Sequence, residues 1–257
     1  MTDPFAKTRN ALYGTVFQHI QFHPMTESTN DDAVKFLGQR EAAGLTIATN
    51  FQTKGAGRKG REWVAPLGAS LLFSTILPVT FEPADLWTIP FWTGMCVQAA
   101  LKFHNIQPTL QWPNDILLKG RKVGGILCVS RGQGARAWVA CGVGINMSGS
   151  DDPKYKDIDP PPAFINDASD ITRPDLLSAI LQTFDSMLSM VEKPNIIARR
   201  WEDAAKLKGT HYRVVIDGET TPLEGIAKRL GHHGELVLDI DGKDRPITMA
   251  DARVLRH

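Results

Sequence analysis

An excess of charge of either sign is missing from this chain, in which Lys+Arg number 29 and Asp+Glu 28 for a formal net charge of +1. No global field draws it to nucleic acid or to an anionic membrane surface, so any anion site has to be local. Long apolar runs are missing too. None approaches the roughly 18 uncharged residues a bilayer-spanning helix needs, and the N-terminal MTDPFAKTRNALYG lacks the unbroken hydrophobic region of a secretory leader. A soluble protein is expected. Cysteine is scarce: Cys96, Cys128 and Cys141 lie in apolar or strand-like runs, none at CxxC or Cys/His ligand spacing. Reduced, buried thiols in a cytoplasmic protein are expected rather than disulfides or a zinc site. Internal repeats and low-complexity tracts are absent, as is the GK[ST] that would complete a Walker loop.

What the chain does have is 42% hydrophobic content over 257 residues, enough for a substantial core in one large and one small domain. Short apolar runs bounded by turn residues at 44–50, 69–77, 122–130 and 136–145 predict buried strands. Residues 85–104 predict a helix limited or kinked at its start by Pro90, so a helix over a sheet is expected. Thr172 and Asp175 have capping-box-like spacing ahead of Leu176, Leu177, Ile180, Leu181, Phe184, Met187, Leu188 and Val191 at helical intervals. Met187 and Met190 are read as ordinary core. The Asp- and Pro-rich segment 148–167 predicts a loop or a lid, and a short helix is expected around 196–209. Beyond it HYRVVID, TPLEGIAKRL, GELVLDI and RPITMADARVL alternate like strands separated by turns, predicting a small β-barrel of about fifty residues. The expected division is 1–206 and 207–257.

Four stretches could carry chemistry. KGAGRKGREW (54–63) holds Gly55, Gly57 and Gly60, which let backbone N–H groups approach an anion, with Arg58 and Arg61 for bidentate phosphate bonds and Lys54 and Lys59 as point charges. The same composition also suits a solvated hairpin. In QWPNDILLKGRKVGGILCVS (111–130), Trp112-Pro113 interrupts a strand, Asn114 and Asp115 present polar groups at the break, and Gly124 and Gly125 clear space beside Lys122. The plain alternative is a β-hairpin turning at LKGRK with Lys122 in solvent. TESTND (26–31) offers Ser28, Thr29 and Asn30 to a ligand or simply to a helix N-cap. CGVGINM (141–147) ends a strand in two glycines and Asn146, which suits a ligand site or simply a tight turn.

These stretches, in this order and covering nearly the whole chain, resemble the biotin protein ligase family. The resemblance implies an α/β (α+β) catalytic domain with a mixed sheet and packed helices, followed by an SH3-like β-barrel. It implies two-step chemistry: ATP activates biotin as biotinyl-5′-AMP, and a lysine of a biotin carboxyl carrier protein takes the acyl group. Carried over by motif, Ser28, Thr29, Asn30 and Gln52 meet biotin, with Gly55, Gly125, Gly142 and Gly144 lining its pocket. Arg58, Arg61, Trp63, Asn114 and Asn146 meet the nucleotide, Lys122 and Arg58 are catalytic, and Asp115 is a Mg²⁺ ligand. ATP and Mg²⁺ are therefore the expected cofactors, because a triphosphate must be neutralised while pyrophosphate departs.

Two positions depart from the family pattern: Ala56 stands where GRGR would place an arginine, and Gln111 where KWPND would place a lysine. The other functions left open are lipoate or octanoate transfer, although no RRxSGGG-like segment is present, and a non-catalytic biotin- or adenylate-binding paralogue. Only about twenty residues precede the first motif, so a separate DNA-binding domain is not expected. Homodimerisation through an exposed sheet edge is left open.

Overall fold

The computed structural model describes residues 3–149, 152–155, 158–250 and 252–255. A seven-stranded mixed sheet has the order β1-β2-β3-β7-β6-β5-β4, built from β1 Ile20–His23, β2 Thr46–Thr49, β3 Ser70–Ile76, β4 Thr109–Gln111, β5 Asp115–Leu118, β6 Arg121–Gln133 and β7 Arg136–Asn146. Among these strands β1 and β2 pair in parallel and the other neighbours are antiparallel. Every residue of β2 and β3 is buried, as expected for strands covered on both faces.

On one face lie α3 (Thr88–Phe103) and α4 (Arg173–Met187), with α1 (Ala6–Ala11) against α4 and α5 (Pro194–Ala205) against α3. Thr172 caps α4 by accepting from the Asp175 N–H, and Pro174 sits in its first turn, where no intrahelical donor is needed. Leu176, Leu177, Ile180, Leu181 and Phe184 are fully buried, each stabilising the fold by about 1.5–3 kcal/mol relative to exposure. Pro90 is tolerated because α3 starts at Thr88, which leaves the proline in the first turn. Met190 is buried and Met187 packs against the core, its sulfur 3.7 Å from Cys96 Sγ. The three thiols are free; Cys96 and Cys141 are buried and Cys128 half-buried.

Among the described residues the helix on the opposite face is α2 (Thr29–Val34), whose Ala33 packs with Leu37, Ile47 and Ala140. Strand alternation divides β7 accordingly. Cys141, Val143 and Ile145 join the α3/α4 core, whereas Gly142 and Gly144 face the α2 side. The predicted turn at CGVGINM is thus a correction: both glycines lie inside a strand that is paired on both sides, Gly142 with Ser74 and Leu127, and Gly144 with Leu72 and Gly125. A run of glycines in a central strand strips the sheet of side chains on one face.

A second, antiparallel sheet has the order β11-β10-β9-β8-β12, from β8 His211–Ile216, β9 Leu223–Leu230, β10 Leu236–Ile240, β11 Lys243–Ile247 and β12 Ala252–Val254, consistent with the expected SH3-like module. RPITMADARVL is two strands rather than one. The chain leaves one edge of the sheet after Ile247 and reaches the other edge at Ala252, which a continuous strand could not do. Of segment 148–167, residues 150, 151, 156 and 157 lie outside the described residues; the remainder is irregular, with short 3₁₀ turns at Pro153–Tyr155 and Ile165–Asp167. Among the described residues no helix is long and apolar enough to cross a membrane.

Candidate active site

The bare face of β6 and β7 is the floor of a cavity of about 220 Å³, several times the roughly 30 Å³ share of one water, bounded by all four sequence stretches. The absent side chains are filled by two neighbours. A Cβ on Gly144 would lie 2.7 Å from Trp63 Cε2, and one on Gly125 would lie 3.1 Å from Trp63 Cζ3 and 3.2 Å from Lys122 Nζ. A Cβ on Gly142 would collide with the amide of Asn30. Gly142→Ala is therefore expected to displace Asn30 and lower stability by about 1–3 kcal/mol, measurable as a fall in denaturation midpoint. An unchanged midpoint would contradict this packing.

At the Gly142 end the site is polar. Ser28 caps α2, its hydroxyl accepting weakly from the Asp31 N–H at 3.4 Å, and it also lines the cavity. The Thr29 N–H donates to Gln52 Oε1 at 2.8 Å, and Thr29 Oγ1 lies 3.1 Å from that oxygen. Asn30 donates to the Leu127 carbonyl at 3.0 Å, and its Oδ1 lies 2.8 Å from Ser74 Oγ. Asn30 thus lines the cavity while its amide bridges β6 and β3. Ser74 was not legible in the sequence because it sits in the apolar run SLLFSTIL, where Ser70, Ser74 and Thr75 all carry hydroxyls and nothing local singles out the one beneath Thr29.

At the Gly144 end the site is cationic. The 54–63 loop closes on itself through Trp63 N–H to Gly55 carbonyl (2.8 Å) and Gly57 N–H to Arg61 carbonyl (2.6 Å), so it is hairpin-like and also walls the cavity. The Gly57 N–H is consequently not free for an anion nest. Gly55 does not line the cavity: a Cβ there would come within 2.6 Å of the Trp63 carbonyl, so its glycine serves loop closure. Lys54 pairs with Glu27 at 2.9 Å and Lys59 with Asp217 at 2.6 Å, and neither lines the cavity. Arg58 and Arg61 do. Arg58 spans two parts of the fold, with Nη1 3.5 Å from Asn114 Oδ1 and Nη2 donating to the Met249 carbonyl beyond β11.

The hairpin β5–β6 turns at Lys119–Gly120 as its plain reading required, yet Lys122 is not in solvent. Its side chain is 25% exposed, with the ammonium 2.6 Å from Asp115 Oδ1 and 5.5 Å from the Trp63 ring centre. Burial, then Arg61 and Arg58, push the Lys122 ammonium down to about 8, while the adjacent Asp115 carboxylate favours the charged form. Asp115 is buried, does not line the cavity and pairs with Lys122. Among the described residues no group of three or more His, Cys, Asp or Glu could hold a metal. Asn114 donates to the Ile126 carbonyl at 2.6 Å and Asn146 to the Ala163 carbonyl at 3.3 Å, and both reach the cavity.

Of the two departures, Ala56 lines the cavity, whereas Gln111 sits outside the lining and opposite Asp115 in the β4–β5 register. The indole N–H of Trp63 is buried without a hydrogen-bond partner. Tyr155, Ile158, Pro160 and Pro162 from the 148–167 segment form a further wall that composition alone did not connect to the site.

Comparison with known proteins matches residues 22–146 to the biotin/lipoate A/B protein ligase family. The chain is 25% identical to a biotin–[acetyl-CoA-carboxylase] ligase of Mycobacterium tuberculosis, covering 95% of this chain and 91% of that protein. It is 34% identical over 131 residues to the corresponding ligase of Paracoccus denitrificans, covering 49% of this chain and 54% of the relative. The fold is similar to a biotin protein ligase from Aquifex aeolicus in complex with biotin and ATP, with a TM-score of 0.75, 20% identity, and coverage of 94% and 100% of the two chains.

Proposed function

Since residues 22–146 belong to the biotin/lipoate A/B protein ligase family, we propose that this chain is an ATP-dependent biotin protein ligase acting through the cavity on β6 and β7. One observation carries the reading: a neutral polar cluster at Gly142 and a cationic cluster at Gly144 share one floor, two residues apart on β7, or roughly 7 Å. Such a floor suits an acid with a polar head and a carboxylate tail. Thr29 and Gln52 hold the ureido ring. Lys122, with Arg58 and Arg61, holds the carboxylate against the α-phosphate of ATP, where fixed cations stabilise the charge that develops on the phosphorus.

In the first step a biotin carboxylate oxygen bonds to the α-phosphorus and the bond to pyrophosphate breaks, giving biotinyl-5′-AMP. In the second, the neutral amine of a carrier-protein lysine bonds to the acyl carbon, AMP leaves, and the amine loses a proton. Trp63 and the wall formed by Tyr155, Ile158, Pro160 and Pro162 exclude water, which would otherwise hydrolyse the mixed anhydride. Among the described residues there is no preassembled metal cage, so Mg²⁺ would enter with the triphosphate and supply charge neutralisation, with Asp115 the carboxylate paired with Lys122.

The same proposal divides the chain into residues 1–206 and 207–257 and places it in the reducing, ATP-containing cytoplasm. The test is transfer of labelled biotin to a purified biotin carboxyl carrier domain with ATP and Mg²⁺. Formation of the adenylate and of labelled carrier is expected; absence of both would sink the proposal, and labelling with lipoate but not biotin would redirect it.

A further inference from the structure

Ser74 on β3 is fully buried and lies outside the cavity lining, yet its hydroxyl is 2.7 Å from Thr29 Oγ1 and 2.8 Å from Asn30 Oδ1. One hydroxyl has one proton, so only one of these contacts is donated by Ser74. Asn30 settles which. Its Nδ2 donates to the Leu127 carbonyl, which fixes the amide with Oδ1, an acceptor only, toward Ser74. Ser74 therefore donates to Asn30 and accepts from Thr29 at 2.7 Å, the competing acceptor for the Thr29 proton, Gln52 Oε1, lying further away at 3.1 Å. The Thr29 proton is consumed inside the protein, leaving only lone pairs on Oγ1 for the cavity. Gln52 is oriented in the same way, because its Oε1 accepts the Thr29 N–H at 2.8 Å and its amide nitrogen is left as a donor.

We infer that Ser74 is a positioning residue that acts through Thr29 to select the acid, holding the head of the cavity as one acceptor beside one donor. This rests on the proposed ligase reading and deepens it. A cyclic urea presents an N–H and a C=O side by side and satisfies both groups, whereas a dithiolane or an alkyl end satisfies neither and leaves them desolvated. Selection is therefore written into the proton order of Ser74, Thr29 and Asn30 rather than into the width of the cavity.

The test is calorimetric binding of biotin and of lipoate to the full-length wild type, Ser74→Ala, Thr29→Val and the double variant, with adenylation kinetics alongside. Ser74→Ala is expected to weaken biotin roughly 5- to 10-fold, one neutral hydrogen bond's worth, raising KM with little change in kcat, and to leave lipoate binding unmoved. The double variant is expected to bind biotin no more weakly than Thr29→Val alone. Wild-type affinity in Ser74→Ala, or additive losses in the double variant, would overturn the relay while leaving the ligase reading intact. A wild type that does not bind biotin would overturn both. Should Ser74→Ala fail to fold, Ser74→Cys, similar in size but a weak donor, is measured in its place; a loss of biotin affinity absent from the Thr29→Val background supports the relay, and wild-type affinity opposes it.

Discussion

Lys122→Met is expected to lower the rate of adenylate formation by roughly 10²- to 10³-fold, the range seen when one fixed donor to a developing oxyanion is removed. The methionine keeps the apolar stem over Gly125 and beside Trp63 but deletes the charge. The loss should appear in kcat as well as kcat/KM, because the cation matters more as charge builds on phosphorus than in the ground state. Adenylation within a few-fold of wild type, measured by pyrophosphate release, would remove Lys122 from the mechanism.

The position of that ammonium also predicts two opposite pH trends. Because its value lies near 8, the free enzyme loses the cation as pH rises through 8, and kcat/KM for adenylation falls there. Stability moves the other way. The lysine keeps its proton up to about 10.4 in the unfolded chain, so between about 8 and 10.4 the unfolded state binds more protons and this group makes folding more favourable as pH rises. Below 8 the cost of holding a buried cation is fully present. Lys122→Met is expected to flatten both trends, which pH-dependent kinetics and denaturant titrations read independently.

Arg58→Ala is expected to reduce adenylation by about 10²-fold, with a much smaller effect from its neighbour in the same loop. Burial is the leading cause that lowers the Arg58 pKa, and among the described residues no carboxylate forms an ion pair with it. Its guanidinium is held instead by neutral oxygens of Asn114 and Met249, which fix its direction without neutralising it. An anion bound beside it gains a preorganised partner. Lys59 already has Asp217 at 2.6 Å, and that carboxylate is 63% exposed, so the pair is worth at most about 1 kcal/mol. Asp217→Asn is accordingly expected to leave adenylation within a few-fold of wild type. Equal losses from Arg58→Ala and Asp217→Asn would mean that the loop acts through its attachment to the C-terminal sheet rather than through the arginine's charge.

The elements of the fold were legible where period and punctuation agreed. Thr172 with Asp175 announced α4, and the apolar runs at 69–77 and 136–145 became β3 and β7. Short elements without an apolar run or a cap signal were not legible: α1, β1 and β4 have six residues or fewer, too few to establish a period, and they are held by packing or pairing with distant segments. The CGVGINM turn was misread because glycine marks both a turn and a strand approached closely by other groups. Trp63 and Asn30, far away in sequence, decide between the two.

The sequence by itself determined which chemical groups are available, because motif order and residue type carry the cations, the hydroxyls and the glycine floor. Tertiary structure alone decided how those groups are used. It turned Lys122 from a solvent-facing turn residue into a half-buried cation, spent Asp115 on that lysine, and sent Lys54 and Lys59 to surface partners while Arg58 stayed in the cavity. It also brought Ser74 beneath Thr29, 45 residues away, where one shared proton fixes what the cavity offers. The physical reason is that charge and hydrogen-bonding capacity are properties of a side chain, whereas protonation, desolvation and the direction of a donor belong to its neighbours in space.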